Sequence, residues 1–185
     1  AEYSFKHPLT HEVALHAQLG SARRERHAAV ATAIEAASPA QLDERAGLLA
    51  HHWQEAGDPM RAATWHVRAA RWVRANDIIA SHRHWTQARA LLVPLPDSDE
   101  RTRLLLEVYP ELINLLDRLG AEASQSDAIY TEGIAFARQA GSRVTEALLE
   151  AAYGYLVAAR GDWHRVIECG LRAVTLAEQE GDVAV

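Results

Sequence analysis

One pattern fills most of the chain: apolar residues recur every three or four positions, and short breaks rich in Gly, Pro, Ser and Asp separate these stretches. This spacing places apolar side chains on one side of an α-helix. β-Branched residues form no alternating run suited to a sheet. A short strand at residues 3–6 is the one exception that we allow to an all-helical chain. The pattern predicts helices over residues 22–37, 39–56, 59–75, 77–92, 98–118, 124–140, 142–160 and 163–180.

The breaks between these stretches contain residues that begin and end helices. Ser38-Pro39-Ala40-Gln41 matches a capping box with proline at the first helical position. Gly57-Asp58-Pro59 ends one helix and caps the next, and Asp97 or Ser98 caps a long helix that runs toward residue 118.

Glycines mark a repeat of about forty residues, from Gly120 to Gly161 and from Gly141 to Gly181. Paired helices with such a period stack into a solenoid, because a single hairpin cannot bury its own apolar face. The predicted fold is therefore all-α, a right-handed α-solenoid of antiparallel helix hairpins.

Two of the predicted hairpins carry small and aromatic residues at characteristic positions around a turn glycine. In residues 150–182 these positions are Gly154, Gly161, Trp163 and Ala173, and in residues 48–70 they are Trp53, Gly57, Ala62 and Ala69. Both segments resemble the tetratricopeptide repeat, although Val166 and Gly170 stand where that motif prefers alanine and a large aromatic residue. The resemblance implies close packing at the small residues, with Trp163 filling the wedge between two helices.

The start of the chain carries a second pattern. A phenylalanine, a basic residue and a histidine precede a leucine and then Glu-Val-Ala, and an Arg-Arg pair and another histidine follow. These residues are Phe5, Lys6, His7, Leu9, Glu12, Val13, Ala14, Arg23, Arg24 and His27. The pattern resembles the region after the ATPase module in bacterial class III adenylate or guanylate cyclases fused to an AAA or STAND-type ATPase. Leu15 replaces a tyrosine that is common there.

This resemblance implies a division of the chain into three parts. Residues 1–37 form a junction and the first helices after an ATPase module, residues 38–93 form degenerate repeats, and residues 94–185 form further hairpins of the same solenoid. The chain begins without methionine and stops after a turn signal at Gly181, so we expect a piece of a longer protein. Any ATPase or cyclase residues are then expected outside it.

Histidines are the candidate metal ligands, and their spacing argues against a metal site. His11-Glu12 is followed by His16, one residue too far for the H-E-x-x-H signature, and Pro8 follows His7 directly. The pairs His51-His52 and His82-x-His84 do not place two imidazoles on one face of a helix. No metal or other cofactor is predicted.

Catalytic signatures are equally lacking in the sequence. Lys6 is the only lysine, and no glycine-rich loop precedes it to form a phosphate-binding P-loop. Cys169 is the only cysteine, which fits a reducing compartment, and it lies in an apolar helical pattern typical of a buried residue rather than a reactive thiol. We therefore expect no enzyme activity from these residues.

Charge and hydropathy limit the classes of partner. The net charge of −6 disfavours binding to nucleic acid or to an anionic membrane surface, and no apolar run is long enough to cross a bilayer. We expect a cytoplasmic protein whose partners are proteins or neighbouring domains of the same chain.

The helix predicted over residues 59–75 has two faces, and each of them has both a structural and a functional interpretation. Trp65 and Trp72 share a stripe with Ala62 and Ala69, which predicts a buried face, with a ligand-stacking platform as the alternative. Arg61, Arg68 and Arg71 occupy a neighbouring face, which predicts a solvated or salt-bridged surface. Contact with nucleic acid or with an acidic partner is the alternative for this arginine face.

The favoured function is a non-catalytic scaffold that mediates protein contacts in an ATPase-linked signalling protein. By analogy with the tetratricopeptide register, the predicted partner-binding groove consists of Glu44, His51, Gln54, Glu55, Leu148, Ala151 and Tyr155. These lack the basic and asparagine residues that clamp a C-terminal carboxylate in chaperone-binding relatives of the repeat. The alternative is the helical sensor region of a bacterial transcription activator with an ATPase module.

The helix predicted over residues 163–180 has more apolar surface than one neighbour can cover. One stripe, expected to pack on the preceding helix, consists of Trp163, Val166, Ile167, Gly170, Val174 and Ala177. Cys169, Ala173 and Leu176 extend the apolar surface toward a second neighbour. We therefore expect weak self-association through this helix.

Overall fold

A computed structural model describes residues 20–37 and 39–180. The strand allowed at residues 3–6, the segment from Phe5 to Ala14, His16 and Ser38 lie outside these residues. Within them the chain forms helices and no β-strand, so the predicted all-α class is confirmed for this part of the chain. The helices are α1 (Gly20–Ala37), α2 (Ala46–Ala56), α3 (Pro59–Val73), α4 (Ile78–Leu92), α5 (Asp99–Leu119), α6 (Ala123–Gln139), α7 (Arg143–Ala159) and α8 (Trp163–Glu180).

Asp58 and Ser98 cap helices as the sequence predicts, and Asp77 and Ser142 are two further caps. Asp58, Asp77, Ser98 and Ser142 each accept a hydrogen bond from a backbone N–H in the first turn of α3, α4, α5 and α7. Gly57 ends α2 in the left-handed conformation at φ 81°, which glycine adopts without steric cost. Most helix ends therefore lie within about two residues of the predicted ones.

One predicted helix start is wrong. Residues Pro39–Gln41 form only a 3₁₀ turn, further turns follow, and the α-helix begins at Ala46. The turns bring Leu42 onto the apolar core formed by α1, α2 and α3. Tertiary packing of this side chain thus competes with the local capping signal at residues 38–41.

Each helix packs against the next one along the chain, and α5 also contacts α3 and α7. A large apolar core runs from α3 to α8, and a smaller one lies among α1, α2 and α3. Leu92 and Leu104 belong to the same core, so packing continues across the predicted division at residues 93 and 94. The division into three parts stays a prediction.

The two tryptophans predicted to share a buried face of α3 behave differently from that prediction. Ala62 and Ala69 are buried, but Trp65 is half-buried and Trp72 is 54% exposed. The buried face is centred near His66 and Ala70, which places both tryptophans at its edge. The prediction is therefore wrong for Trp72. Counting both tryptophans as core residues shifted the predicted buried face of α3 away from the face that is buried.

Candidate interaction surface on helices α7 and α8

The predicted groove residues near α2 lie beside α1. Glu44 is exposed in the turn before α2, and Gln54 is exposed on the helix itself. His51 is exposed, with its ring 5.9 Å from that of His27 on α1. Glu55 forms an ion pair with Arg23, also on α1.

The predicted groove residues on α7 lie elsewhere in the molecule. Leu148 is exposed, Ala151 is half-buried, and Tyr155 is 74% exposed. Helix α2 packs against α1 and α3, whereas α7 packs against α5, α6 and α8. The structure therefore does not bring the two predicted sets together, and each forms a separate surface.

Ala151 and Tyr155 line a groove between α7 and α8 with a volume of about 330 Å³. Much of its lining consists of small residues, namely Ala151, Gly154, Ala158, Gly170 and Ala173. Tyr155, Val166 and Val174 add larger side chains. A shallow apolar depression of this kind can receive bulky side chains from a second helix.

The stripe of α8 that was expected to pack on the preceding helix is buried only in part: Ala177 is buried and Val166 packs against the core, but Trp163, Ile167 and Val174 are exposed. Cys169, Ala173 and Ala177 are buried, whereas Trp163, Ile167 and Leu171 are 66%, 62% and 65% exposed. A Cβ atom at Gly154 would lie 3.5 Å from Cβ of Cys169, so α7 and α8 meet through small residues. Trp163 consequently does not fill a wedge between these helices, and most of the stripe that includes it is open to solvent.

A buried polar cluster behind this surface joins Glu150 of α7 to Tyr130 of α6 and Arg172 of α8. Arg172 donates a hydrogen bond of 2.8 Å from Nε to Oε1 of Glu150, which is almost fully buried. Burial raises the pKa of the Cys169 thiol, and the nearby Glu150 carboxylate raises it further. The thiol therefore stays protonated near neutral pH, and Cys169 is buried, as its place in an apolar helical pattern predicts.

Two related clusters place a carboxylate between a tyrosine and an arginine. Glu132 accepts a hydrogen bond of 2.6 Å from Tyr109 and pairs with Arg89. Asp127 accepts hydrogen bonds of 2.7 Å from Tyr153 and from Arg160. Burial raises the pKa of both carboxyls, but their hydrogen bonds with the arginine and tyrosine outweigh it and lower the pKa overall.

Histidines cluster in the first half of the molecule. Nδ1 of His27 lies 3.0 Å from Nδ1 of His52, and Nδ1 of His66 lies 2.9 Å from Nδ1 of His84. The spacing argument missed these pairs because it considered each helix by itself, and the partners lie on different helices. In the described part of the chain, no three His, Cys, Asp or Glu side chains form a group that could hold a metal ion.

Desolvation governs the charge of these histidines. Burial lowers the pKa of His66 to about 4, and repulsion from His84 and Arg83 contributes. Burial also lowers the pKa of His52, His82 and His84. The paired imidazoles with lowered pKa are therefore neutral at pH 7 and act as packing groups.

Across residues 20–37 and 39–180, no helix is both long and apolar enough to cross a membrane. The chain matches no protein-family model, and no curated protein or solved structure matches it either.

Proposed function

We propose that the chain is a non-catalytic helical-repeat module that binds protein partners or neighbouring domains, and that the α7–α8 groove receives an amphipathic helix. The observation that supports this proposal is the exposed apolar stripe of α8 beside a groove lined by small residues. The exposed members of this stripe are Trp163, Ile167, Leu171 and Val174, and Leu148 and Tyr155 are exposed on α7.

The free energy available from covering this surface is substantial. Burial of one large aliphatic or aromatic side chain contributes roughly 1.5 to 3 kcal/mol. Several such side chains on one surface also exceed the scattered apolar exposure of an ordinary monomer. A helix in the groove would contact α7 and α8 much as α7 contacts α5 and α6, and would thereby extend the packing already present.

The two sequence resemblances suggest the kind of parent protein in which this module acts. A right-handed solenoid of tetratricopeptide-like hairpins in an ATPase-linked signalling protein, with a nucleotide cyclase as parent, agrees with this helix-binding role. A transcription activator with an ATPase module is the alternative parent. Sequence that encodes either a cyclase domain or a DNA-binding helix-turn-helix in the same gene would decide between them. We propose a cytoplasmic location in both cases.

For the isolated chain, we propose that a second copy covers the stripe weakly. Two α8 helices packed antiparallel about a two-fold axis between Gly170 and Leu171 would place Ile167 opposite Val174 of the other copy. Leu171 would then lie over Gly170 of the other copy, where a Cβ atom would meet nothing within 4 Å. The stripe is thus complementary to itself, as a two-fold interface requires.

Sedimentation velocity over a range of concentrations tests this surface. We expect reversible dimers for the unmodified chain and for Gln87→Glu, which adds the same charge at an exposed site on α4. Leu171→Glu should stay monomeric, because dimer formation would bury a carboxylate without a partner. Equal dimerisation of Leu171→Glu and Gln87→Glu would show that α8 is not the contact surface.

A further inference from the structure

A second cavity, of about 410 Å³, lies where α3 meets α5. Its volume is within the usual range for binding clefts. Residues from both helices line it, including Thr64, Arg68, Arg71, Trp72, Arg103 and Leu104. None of these lines the α7–α8 groove, so this cavity is an independent feature of the molecule.

Positive charge remains available in this cavity after its internal ion pairs are formed. Arg68 pairs with Asp43, and Arg71 pairs with Glu107. Arg103 has no hydrogen-bond or ion-pair partner among the described residues. Each guanidinium carries five N–H donors, so the two paired arginines also keep donors for another acceptor.

Trp72 supplies an exposed aromatic wall beside these guanidinium groups. An indole in this position can stack on a flat side chain. Tryptophan and arginine are the residues most often found at the energetic centres of protein interfaces. The cavity therefore offers donors for a carboxylate and an apolar wall for an aromatic group at one place.

We propose that this cavity binds a peptide segment in which a carboxylate side chain lies next to an aromatic one. The carboxylate accepts hydrogen bonds from Arg103 and from a free donor of Arg71, in the planar geometry that favours guanidinium–carboxylate pairs. The aromatic side chain stacks on Trp72. This proposal takes the acidic partner given above as an alternative for the arginine face of α3 and assigns it to a defined cavity.

A polynucleotide fits the surroundings less well. Glu107 and Glu111 lie along α5 beside the cavity, and the chain has a net charge of −6. A continuous row of phosphates would meet these carboxylates beyond the cavity, whereas a peptide can limit its charge to the position of the guanidinium groups. An oligonucleotide therefore serves as the competing probe.

Fluorescence anisotropy with labelled peptides of equal length tests the proposal. The probe alternates glutamate and phenylalanine; one control replaces glutamate by glutamine, and the other replaces phenylalanine by alanine. We expect measurable binding of the probe and much weaker binding of both controls and of oligothymidylate. Equal binding of all three peptides, no binding of the probe, or tighter binding of the oligonucleotide would each contradict the proposal.

Matched variants locate the binding site. Arg103→Gln and Trp72→Ala should each weaken binding of the probe by about fivefold or more, as expected of an interface residue that contributes to affinity. Arg118→Gln lies on the same helix as Arg103, about 22 Å away, and should leave binding unchanged. Trp163→Ala removes the exposed indole of α8 and should also bind normally.

The two proposals can fail separately. Leu171→Glu disrupts the proposed contact of α8 but leaves the α3–α5 cavity intact, so it should bind the probe like the unmodified chain. Loss of probe binding in Leu171→Glu, or unchanged binding in both Arg103→Gln and Trp72→Ala, would show that the peptide binds elsewhere.

Discussion

The helices of the first half of the molecule meet through different polar groups from those of the second half. From α1 to α4, imidazoles face each other in pairs, and Glu35 accepts hydrogen bonds from the indoles of Trp53 and Trp65. From α5 to α8, tyrosines and arginines meet at Asp127, Glu132 and Glu150, with Arg89 of α4 completing the Glu132 cluster.

Because of this difference, we expect the polar contacts of the two halves to lose their contribution to stability at different pH values. A histidine with a lowered pKa stabilises the fold above its unfolded pKa of about 6.5, and the contribution is lost as pH falls toward the folded value. A carboxyl with a lowered pKa loses its contribution only below about pH 4.3. The histidine contacts should therefore weaken over a pH range in which the carboxylate clusters remain intact.

The largest expected effect is on the pH dependence of unfolding. His66 is buried, and its pKa is lowered to about 4. The free energy of unfolding should therefore fall by about 3 kcal/mol between pH 6.5 and pH 4, because only the unfolded chain readily takes up the proton. Urea titrations at several pH values measure this slope, which is the change in the free energy of unfolding with pH.

Two variants attribute the slope to the buried histidine. His66→Gln should flatten the pH dependence, whatever its effect on stability at pH 7. His164→Gln alters an exposed histidine on α8 and should retain the slope. An unchanged slope in His66→Gln would mean that other groups control acid stability, and the comparison of the two halves would lose its basis.

The second expected effect compares one carboxylate from each half. Glu132→Ala leaves Arg89 and the buried hydroxyl of Tyr109 without their shared acceptor, at a cost of about 2 to 3 kcal/mol. Glu35→Ala leaves two neutral indole N–H groups and should cost about 1 kcal/mol. Chemical unfolding at pH 7 measures both; a larger loss for Glu35→Ala would reverse the comparison.

The smallest effect concerns how closely helices approach. A Cβ atom at Gly133 would lie 3.0 Å from Cβ of Tyr109 and 3.2 Å from Cδ1 of Leu149, so Gly133→Ala should cost about 1 kcal/mol. At Gly47 the nearest atom is 3.4 Å away, in the ring of His84. Gly47→Ala should therefore be neutral or stabilise by about 0.5 kcal/mol. Thermal unfolding of both variants checks the contrast.

The candidate surfaces were predictable only in part. The sequence placed Ala151 and Tyr155 on a potential binding face, and both line the α7–α8 groove. It did not distinguish the buried stripe of α8 from the exposed one, because Cys169 and Trp163 lie on adjoining parts of one broad apolar surface. Which part is covered depends on where the small residues let α7 approach.

Local chemistry determined the helices of this protein, and tertiary structure determined which side chains meet. Caps such as Asp58 and Ser98, together with the left-handed glycines Gly57 and Gly120, act within a few residues and can be read directly from the sequence. The pairing of His66 with His84 and the convergence of Arg71 and Arg103 at one cavity depend on how α3 lies against α4 and α5. Periodicity along one helix specifies a face but not the neighbour that covers it, because that neighbour is set by packing between distant residues.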